Sequence, residues 1–379
     1  MPADAKEEGL AYRRLVVKLG SNLLAGDDQG LDLKLMSSLV GQVARLRREG
    51  GQVIVVTSGA IASGKGILKK VPGHQGVPLR QVLASVGQSR LMQAYDRLFG
   101  EHDITVAQAL VSRGDLSDRL RYLNVRNTLT TLLELGVVPL VNENDVVAVE
   151  EIQETRFGDN DNLSAMVANL VDADLLMLLT DTAGLYTADP RKDPEARLIS
   201  RVEVIDEEIE ALAGGTQSPW SVGGMVTKVQ AARLATASGV DVVVADGREQ
   251  DVVTRLARGE SIGTLFPSPT TRLESRKRWM LSGLNSLGTL RVDSGAAGAL
   301  VNGGKSLLPA GVVGVEGEFH RGDVVDILDG KGRRIACGLA NYDADEVEVI
   351  KGAQSGDIEG LLGHQYGEEV VHRNNLVLL

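Results

Sequence analysis

At 379 residues the chain is longer than a single core usually fills, so two domains are expected. Hydrophobic residues at 43% and charged residues at 24% are ordinary globular proportions, but aromatics at 3% leave the core to Leu, Val, Ile and Ala. A net charge of −11 speaks against nucleic acid as the main partner, because phosphate backbones are met by clustered Lys and Arg.

Met1 to Arg14 is polar and has no apolar stretch of the signal-peptide kind, so residues 1–14 read as a flexible tail. No apolar run approaches the roughly 20 residues of a membrane span. The single cysteine, Cys337, excludes an internal disulfide and reads as a small buried hydrophobe. A cytoplasmic location is the expectation.

Short apolar runs then alternate with helical patterns. Leu15 to Lys18, Val53 to Val56, Val137 to Val141, Leu175 to Leu179 and Val240 to Val244 read as strands. Leu33 to Glu49, Leu79 to Phe99, Asn124 to Leu135, Asn162 to Val171 and Lys228 to Ser238 read as helices. The alternation predicts βαβ units and a mainly parallel sheet, and continuous rather than alternating apolar strands fit burial on both faces. In such sheets ligands sit at the carboxyl ends of the strands. Near Pro267 to Arg272 the texture changes. From Leu287 the segments are short, β-rich and Gly-separated, with Thr289 to Val292, Val324 to Leu328 and Val347 to Ile350 as expected strands. The expected organisation is an α/β domain over 15–268, a linker over 269–286 and a small β-rich domain over 287–379.

Polar clusters follow four of the apolar strands: Lys18 to Asn22, Thr57 to Ala60, Asn142 to Asp145 and Thr180 to Gly184. One such cluster is adequately explained as turn chemistry; four at equivalent ends point to a site. Gly158 to Asn162 opens a helix with two aspartates, Asp159 and Asp161, more than an N-cap requires. Val222 to Lys228 places paired glycines before a helix, where free backbone N–H groups suit phosphate. Lys228 in the first turn opposes the helix dipole unless its target is an anion. Gly59 to Gly66 matches GxxxxGK, but the following residue is Gly where a Mg²⁺-binding hydroxyl is needed, so a phosphate loop of that type is not expected.

These segments, in this order, resemble the amino acid kinase family, and within it the branch that phosphorylates the side-chain carboxylate of glutamate. The matching pieces are Val16 to Ser21, Val55 to Ile61, Val86 to Ser89, Val141 to Asp145, Gly158 to Ala165, Leu179 to Asp181, Gly184 to Pro190 and Gly223 to Lys228. Ser306 to Gly311, Arg321 to Val325 and Val371 to Arg373 resemble a PUA domain. The resemblance implies a three-layer sandwich of helices around a mainly parallel sheet, followed by a PUA-like domain. It implies ATP and Mg²⁺ as cofactors and L-glutamate as acceptor, with L-glutamyl 5-phosphate as product at the first step of proline biosynthesis. Feedback inhibition by proline and a homo-oligomer, tetramer or dimer, are implied as well.

A carboxylate is already a nucleophile at pH 7, so catalysis should come from positioning and charge neutralisation. Lys18 and Lys228 are the candidates to hold phosphoryl oxygens, and by resemblance Asp159 or Asp161 orients them; the sequence does not choose between the two. The resemblance places the amino acid on Ser58, Asp145 and Asn160. Asp145 suits the α-ammonium, with Ser58 and Asn160 as donors to carboxylates. Thr180, Asp181, Val222, Gly223, Gly224, Met225, Val226, Thr227 and Lys228 would hold the nucleotide, with Tyr186, Asp189 and Pro190 near the adenine. The family usually has Gly-Thr where this chain has Ser221-Val222, so a hydroxyl is lost at Val222. RNA binding by the tail is disfavoured, because Thr289 to Leu379 carries eight Lys and Arg against fourteen Asp and Glu.

Overall fold

The computed structural model of the chain describes residues 9–26, 30–68, 76–147, 160–214, 224–269 and 286–379. They fall into two units, Met1–Ser117 with Asn124–Thr271 and Asp118–Leu123 with Arg272–Leu379. In chain order the elements up to residue 266 are β1 (Arg14–Leu19), α1 (Ser21–Leu24), α2 (Leu33–Arg48), β2 (Gln52–Val56), α3 (Ala60–Ile67), α4 (Gly76–Gly100), β3 (Val106–Val111), α5 (Arg113–Ser117), α6 (Arg119–Glu134), β4 (Val138–Glu143), α7 (Asn160–Leu170), β5 (Leu175–Thr180), α8 (Glu207–Gly214), α9 (Met225–Thr236), β6 (Asp241–Asp246), α10 (Val252–Ala257) and β7 (Thr264–Phe266).

The first unit is built on a seven-stranded sheet of order β3-β4-β2-β1-β5-β6-β7. All neighbouring pairs are parallel except β6 with β7. Val17 is level with Val55 on one side and Met177 on the other. Leu15, Val17, Val53, Val55, Leu175 and Met177 pack with α2, α4 and α10 into one core. Their neighbours Val16, Ile54, Leu176 and Leu178 are equally buried on the opposite face, where α7 packs on β1 and β5 and α9 on β6. Helices on both faces make three layers, and that double burial is why these strands read as unbroken apolar runs. Chain order runs from β1 to β2 on one side and resumes at β5 on the other, so the topological switch point falls at β1.

Two glycines settle the GxxxxGK run. A Cβ on Gly64 would lie 1.9 Å from the Leu83 carbonyl oxygen, and one on Gly87 only 1.7 Å from that of Ala60. Helices α3 and α4 therefore meet backbone to backbone, which only glycine permits. Gly59, at φ 101°, turns the chain from β2 into α3. The run is a helix-packing device, and Lys65 on it is exposed.

The second unit carries β8 (Gly288–Val292), α11 (Ser294–Gly303), β9 (Val312–Gly317), β10 (Val324–Leu328), β11 (Arg334–Leu339), α12 (Ala344–Ile350), α13 (Ile358–Leu362) and β12 (Leu376–Leu378). Its five-stranded sheet has the order β12-β11-β10-β8-β9, with β8 and β10 parallel and the other pairs antiparallel. Leu290, Ile327, Tyr342, Val347 and Ile350 share its core. Cys337 is fully buried beside Val324, Leu339 and Val377, as a small hydrophobe would be. One expected strand is corrected: Val347 to Ile350 is the end of α12. The Glu346 carboxylate accepts from the Asp343 backbone N–H at 2.9 Å, closing the first turn. Val347 and Ile350, three apart, then share the buried face, a helical rather than a strand spacing.

Candidate functional site

The polar strand ends converge because strand order makes them neighbours. Lys18 occupies the end of β1, Thr57 and Ser58 follow β2, Asn142 and Glu143 end β4, and Thr180 ends β5. Helix α7 starts over this edge with Asn160 and Asp161. Asp161 is fully buried and holds both lysines: Lys18 Nζ lies 2.6 Å from Oδ1 and Lys228 Nζ 3.1 Å from Oδ2. The Thr227 hydroxyl donates to the same Oδ2 at 2.8 Å and accepts from the Gly224 N–H at 3.3 Å. A buried charge is costly unless paired, and here one carboxylate fixes the spacing of the ammonium groups of two lysines that are themselves only 2% and 7% exposed. Of the two aspartates left open by the sequence, Asp161 is the one seen to touch both lysines. Asp159, Val222 and Gly223 lie outside the described residues.

Asn160, next in sequence, faces a neutral network instead. Its Nδ2 donates to the Thr57 carbonyl at 2.8 Å, to Ser58 Oγ at 2.9 Å and to Asn142 Oδ1 at 2.9 Å. Asn142 Oδ1 also accepts from the Glu143 backbone N–H, and Asn142 Nδ2 donates to Gln88 Oε1 at 2.8 Å. Two backbone groups fix every amide in this chain, since a carbonyl only accepts and an N–H only donates. The expectation that Asn160 donates to a carboxylate meets a geometric obstacle: its NH₂ is committed to the protein, and its open group is the acceptor Oδ1. Thr57 Oγ1 meets the buried Tyr95 hydroxyl at 2.8 Å, and burial pushes that phenol well above its ordinary pKa. Asp145 sits in the turn after β4, three residues beyond Asn142.

Beside the lysines opens a cleft of about 700 Å³. Thr180, Asp181, Gly224, Met225 and Lys228 line it, with Tyr186, Asp189 and Pro190 on its wall. Thr180 is buried and its hydroxyl donates to Asp181 at 3.2 Å. The Arg191 guanidinium, hydrogen-bonded to Asp189, holds that carboxyl below the usual range. Thr227, bonded to Asp161, and Val226, 39% exposed, are both absent from the lining. Asn22 joins the lining although only its cluster, not the residue, was singled out by the sequence. Gln88 was likewise visible only as part of a motif. Among the described residues no three His, Cys, Asp or Glu side chains gather as a metal site. Asp181 on the cleft is a carboxylate of the kind that helps hold a Mg²⁺ carried mainly by substrate phosphates.

Buried paired lysines at the switch point, beside a cleft that opens on one of them, make a site suited to anionic ligands on a doubly covered parallel sheet. The sequence profile of the amino acid kinase family matches residues 13–246, and that of the PUA domain matches residues 288–362. The chain belongs to the amino acid kinase family. Among curated relatives, the glutamate 5-kinase of Dehalococcoides mccartyi is 52% identical over 98% of this chain and 100% of its own length. That of Herpetosiphon aurantiacus is 51% identical over 97% of this chain and 98% of its own, and that of Paraburkholderia xenovorans 49% over the same shares. A UMP kinase structure from Bacillus anthracis superposes with a TM-score of 0.48 and 16% identity, over 68% of this chain and 97% of that one. Among the described residues no helix is long and apolar enough to cross a membrane.

Proposed function

We propose that the protein transfers the γ-phosphoryl group of ATP to the side-chain carboxylate of L-glutamate, giving ADP and L-glutamyl 5-phosphate, the first step of proline biosynthesis. The supporting observation is the single buried carboxylate of Asp161 holding Lys18 and Lys228 at 2.6 and 3.1 Å, with Lys228 on the wall of a cleft of about 700 Å³. The relatives at about half identity, which are glutamate 5-kinases, support glutamate as the acceptor.

In this reading a carboxylate oxygen of glutamate attacks the γ-phosphorus as the β,γ-bridging oxygen leaves with ADP. The attacking group is already ionised, so no base is needed, and the obstacle is bringing two anions together. Lys18 and Lys228 meet the transferring phosphoryl oxygens, and Asp161 keeps both ammonium groups in place before the substrates arrive, so little reorganisation is spent during the reaction. Mg²⁺ would neutralise phosphate charge, with Asp181 the cleft carboxylate nearest in role. Ser58, Asp145 and Asn160, the last through its acceptor Oδ1, take the amino acid, and Thr180, Asp181, Gly224 and Met225 the nucleotide. Asp159, Val222, Gly223, Val226 and Thr227 complete the proposed assignment, Thr227 by holding Asp161. Proline, a small zwitterion like glutamate, is proposed to inhibit by competing at the Ser58–Asp145 end. A homo-oligomer in the cytoplasm completes the proposal.

The test is product identification. Incubation with Mg-ATP and L-glutamate in the presence of hydroxylamine should yield the γ-hydroxamate and ADP in equal amounts. ADP release dependent instead on aspartate, acetylglutamate, carbamate or UMP would refute the assigned acceptor.

A further inference from the structure

The amide chain from α7 to α4 has two open ends. Among the described residues, Asn160 Oδ1 at one end is buried without a hydrogen-bond partner, and so is Gln88 Nε2 at the other. The polarity of those ends is dictated from inside. The Thr57 carbonyl demands the NH₂ of Asn160, and the Glu143 N–H demands Oδ1 of Asn142. Asn142 must then turn its NH₂ to Gln88, which answers with Oε1, leaving Nε2 as the terminal donor. Gln88 is thus locked as a donor, and a buried donor without a partner is rare in a native protein unless a ligand meets it.

We infer that the side-chain NH₂ of Gln88 binds the α-carboxylate of the acceptor amino acid, making Gln88 a specificity residue that nothing else assigns. This rests on the reading of the site as a glutamate kinase. The carboxylate that is phosphorylated belongs at Lys18 and Lys228, beside Asp161. Asn160 adjoins Asp161, which holds the lysines, and Gln88 stands two hydrogen-bonded amides further along the network. The group it meets is therefore the carboxylate that does not react. A hydrogen bond to a charged group fixed in this way discriminates strongly against an analogue that cannot accept it.

Gln88→Glu tests this, because it keeps an oxygen for the Asn142 NH₂ and changes only the outer group from donor to acceptor. KM for glutamate should rise about ten-fold or more, with KM for ATP within about two-fold of wild type. Preference, as a ratio of kcat/KM values, should shift at least about ten-fold toward the α-amide of glutamate, whose NH₂ can donate to the new carboxylate. Gln88→Met, uncharged, should raise KM for glutamate without any gain for the α-amide, and it serves if the first variant fails to fold. Unchanged KM for glutamate in a folded variant, or an unchanged preference ratio in Gln88→Glu, overturns the inference alone. Wild-type protein with no glutamate-dependent turnover overturns the underlying reading with it.

Discussion

Asn160 and Asp161 are consecutive at the start of α7, yet they organise two chemically opposite regions. Asp161 faces β1 and α9 and gathers charge: two buried ammonium groups and a hydroxyl converge on its two oxygens. Asn160 faces β2 and β4 and gathers neutral dipoles: a backbone carbonyl, a serine and a second asparagine converge on its NH₂. The difference teaches how one helix terminus divides its work in the proposed reaction between anions. The charged side suits the migrating phosphoryl group, whose charge must be offset in the transition state. The neutral side suits the amino acid, which must be oriented without a surplus of cations competing for its carboxylates.

The comparison breaks first at Asp161. Asp161→Asn leaves the side chain's shape but removes the charge that holds both lysines. Loss of a single preorganised electrostatic contact costs about 10²–10³ in kcat, and here two are loosened together, so a fall of about 10³ or more is expected. Lys228→Ala should fall in the same direction with the fold retained. Hydroxamate trapping measures the first quantity and thermal unfolding the second. If Asp161→Asn kept more than a tenth of wild-type kcat, the charged side would be structural only.

Much of this frame was legible before any coordinates. Unbroken apolar runs such as Leu175 to Leu179 fitted doubly covered strands, and the polar residues at their ends pointed to the edge where the strand ends converge. What escaped did so for physical reasons. Strand β3, reading Val-Ala-Gln-Ala-Leu-Val, lies at the sheet edge, and its mostly half-exposed residues carry no continuous apolar signal. Val347 to Ile350 has strand composition, but a capping carboxylate three residues after Asp343 decides for helix. The choice between Asp159 and Asp161 turns on which carboxylate reaches two lysines from distant elements, and spacing alone is silent on that. The polarity of Asn160 is set by Thr57, 103 residues away, so no local pattern could reveal that its donor is already spent.

The neutral side is sharpened by Asp145, which stands in the turn after β4 near Asn142. Asp145→Ala should raise KM for glutamate by roughly one to two orders of magnitude, as expected for loss of a charged partner to an ammonium group, while KM for ATP stays within about two-fold. A rise in KM for ATP with that for glutamate unchanged would place Asp145 on the wrong side of the comparison. Smaller still is the effect expected from Gly64→Ala. The new methyl would press on the Leu83 carbonyl at 1.9 Å, so α3 and α4 must separate, at about 1–3 kcal/mol of stability. A lower Tm is expected, with KM for both substrates near wild type in the folded fraction.

The smallest expected effect carries the sharpest contrast, because it sets Lys65 against Lys228. Both lysines follow glycines, and Lys65 stands in a GxxxxGK run that lacks only the hydroxyl after it. The structure separates them by what they touch. Lys228 is buried at 3.1 Å from Asp161 and lines the cleft, whereas Lys65 is exposed on α3, whose glycines serve packing against α4. Lys65→Ala should therefore change stability by no more than about 0.5 kcal/mol and leave KM for ATP within about two-fold. A ten-fold rise in KM for ATP would mean that phosphate is held at α3. The charged region would then have to be moved from α7 and α9 to the other side of β1.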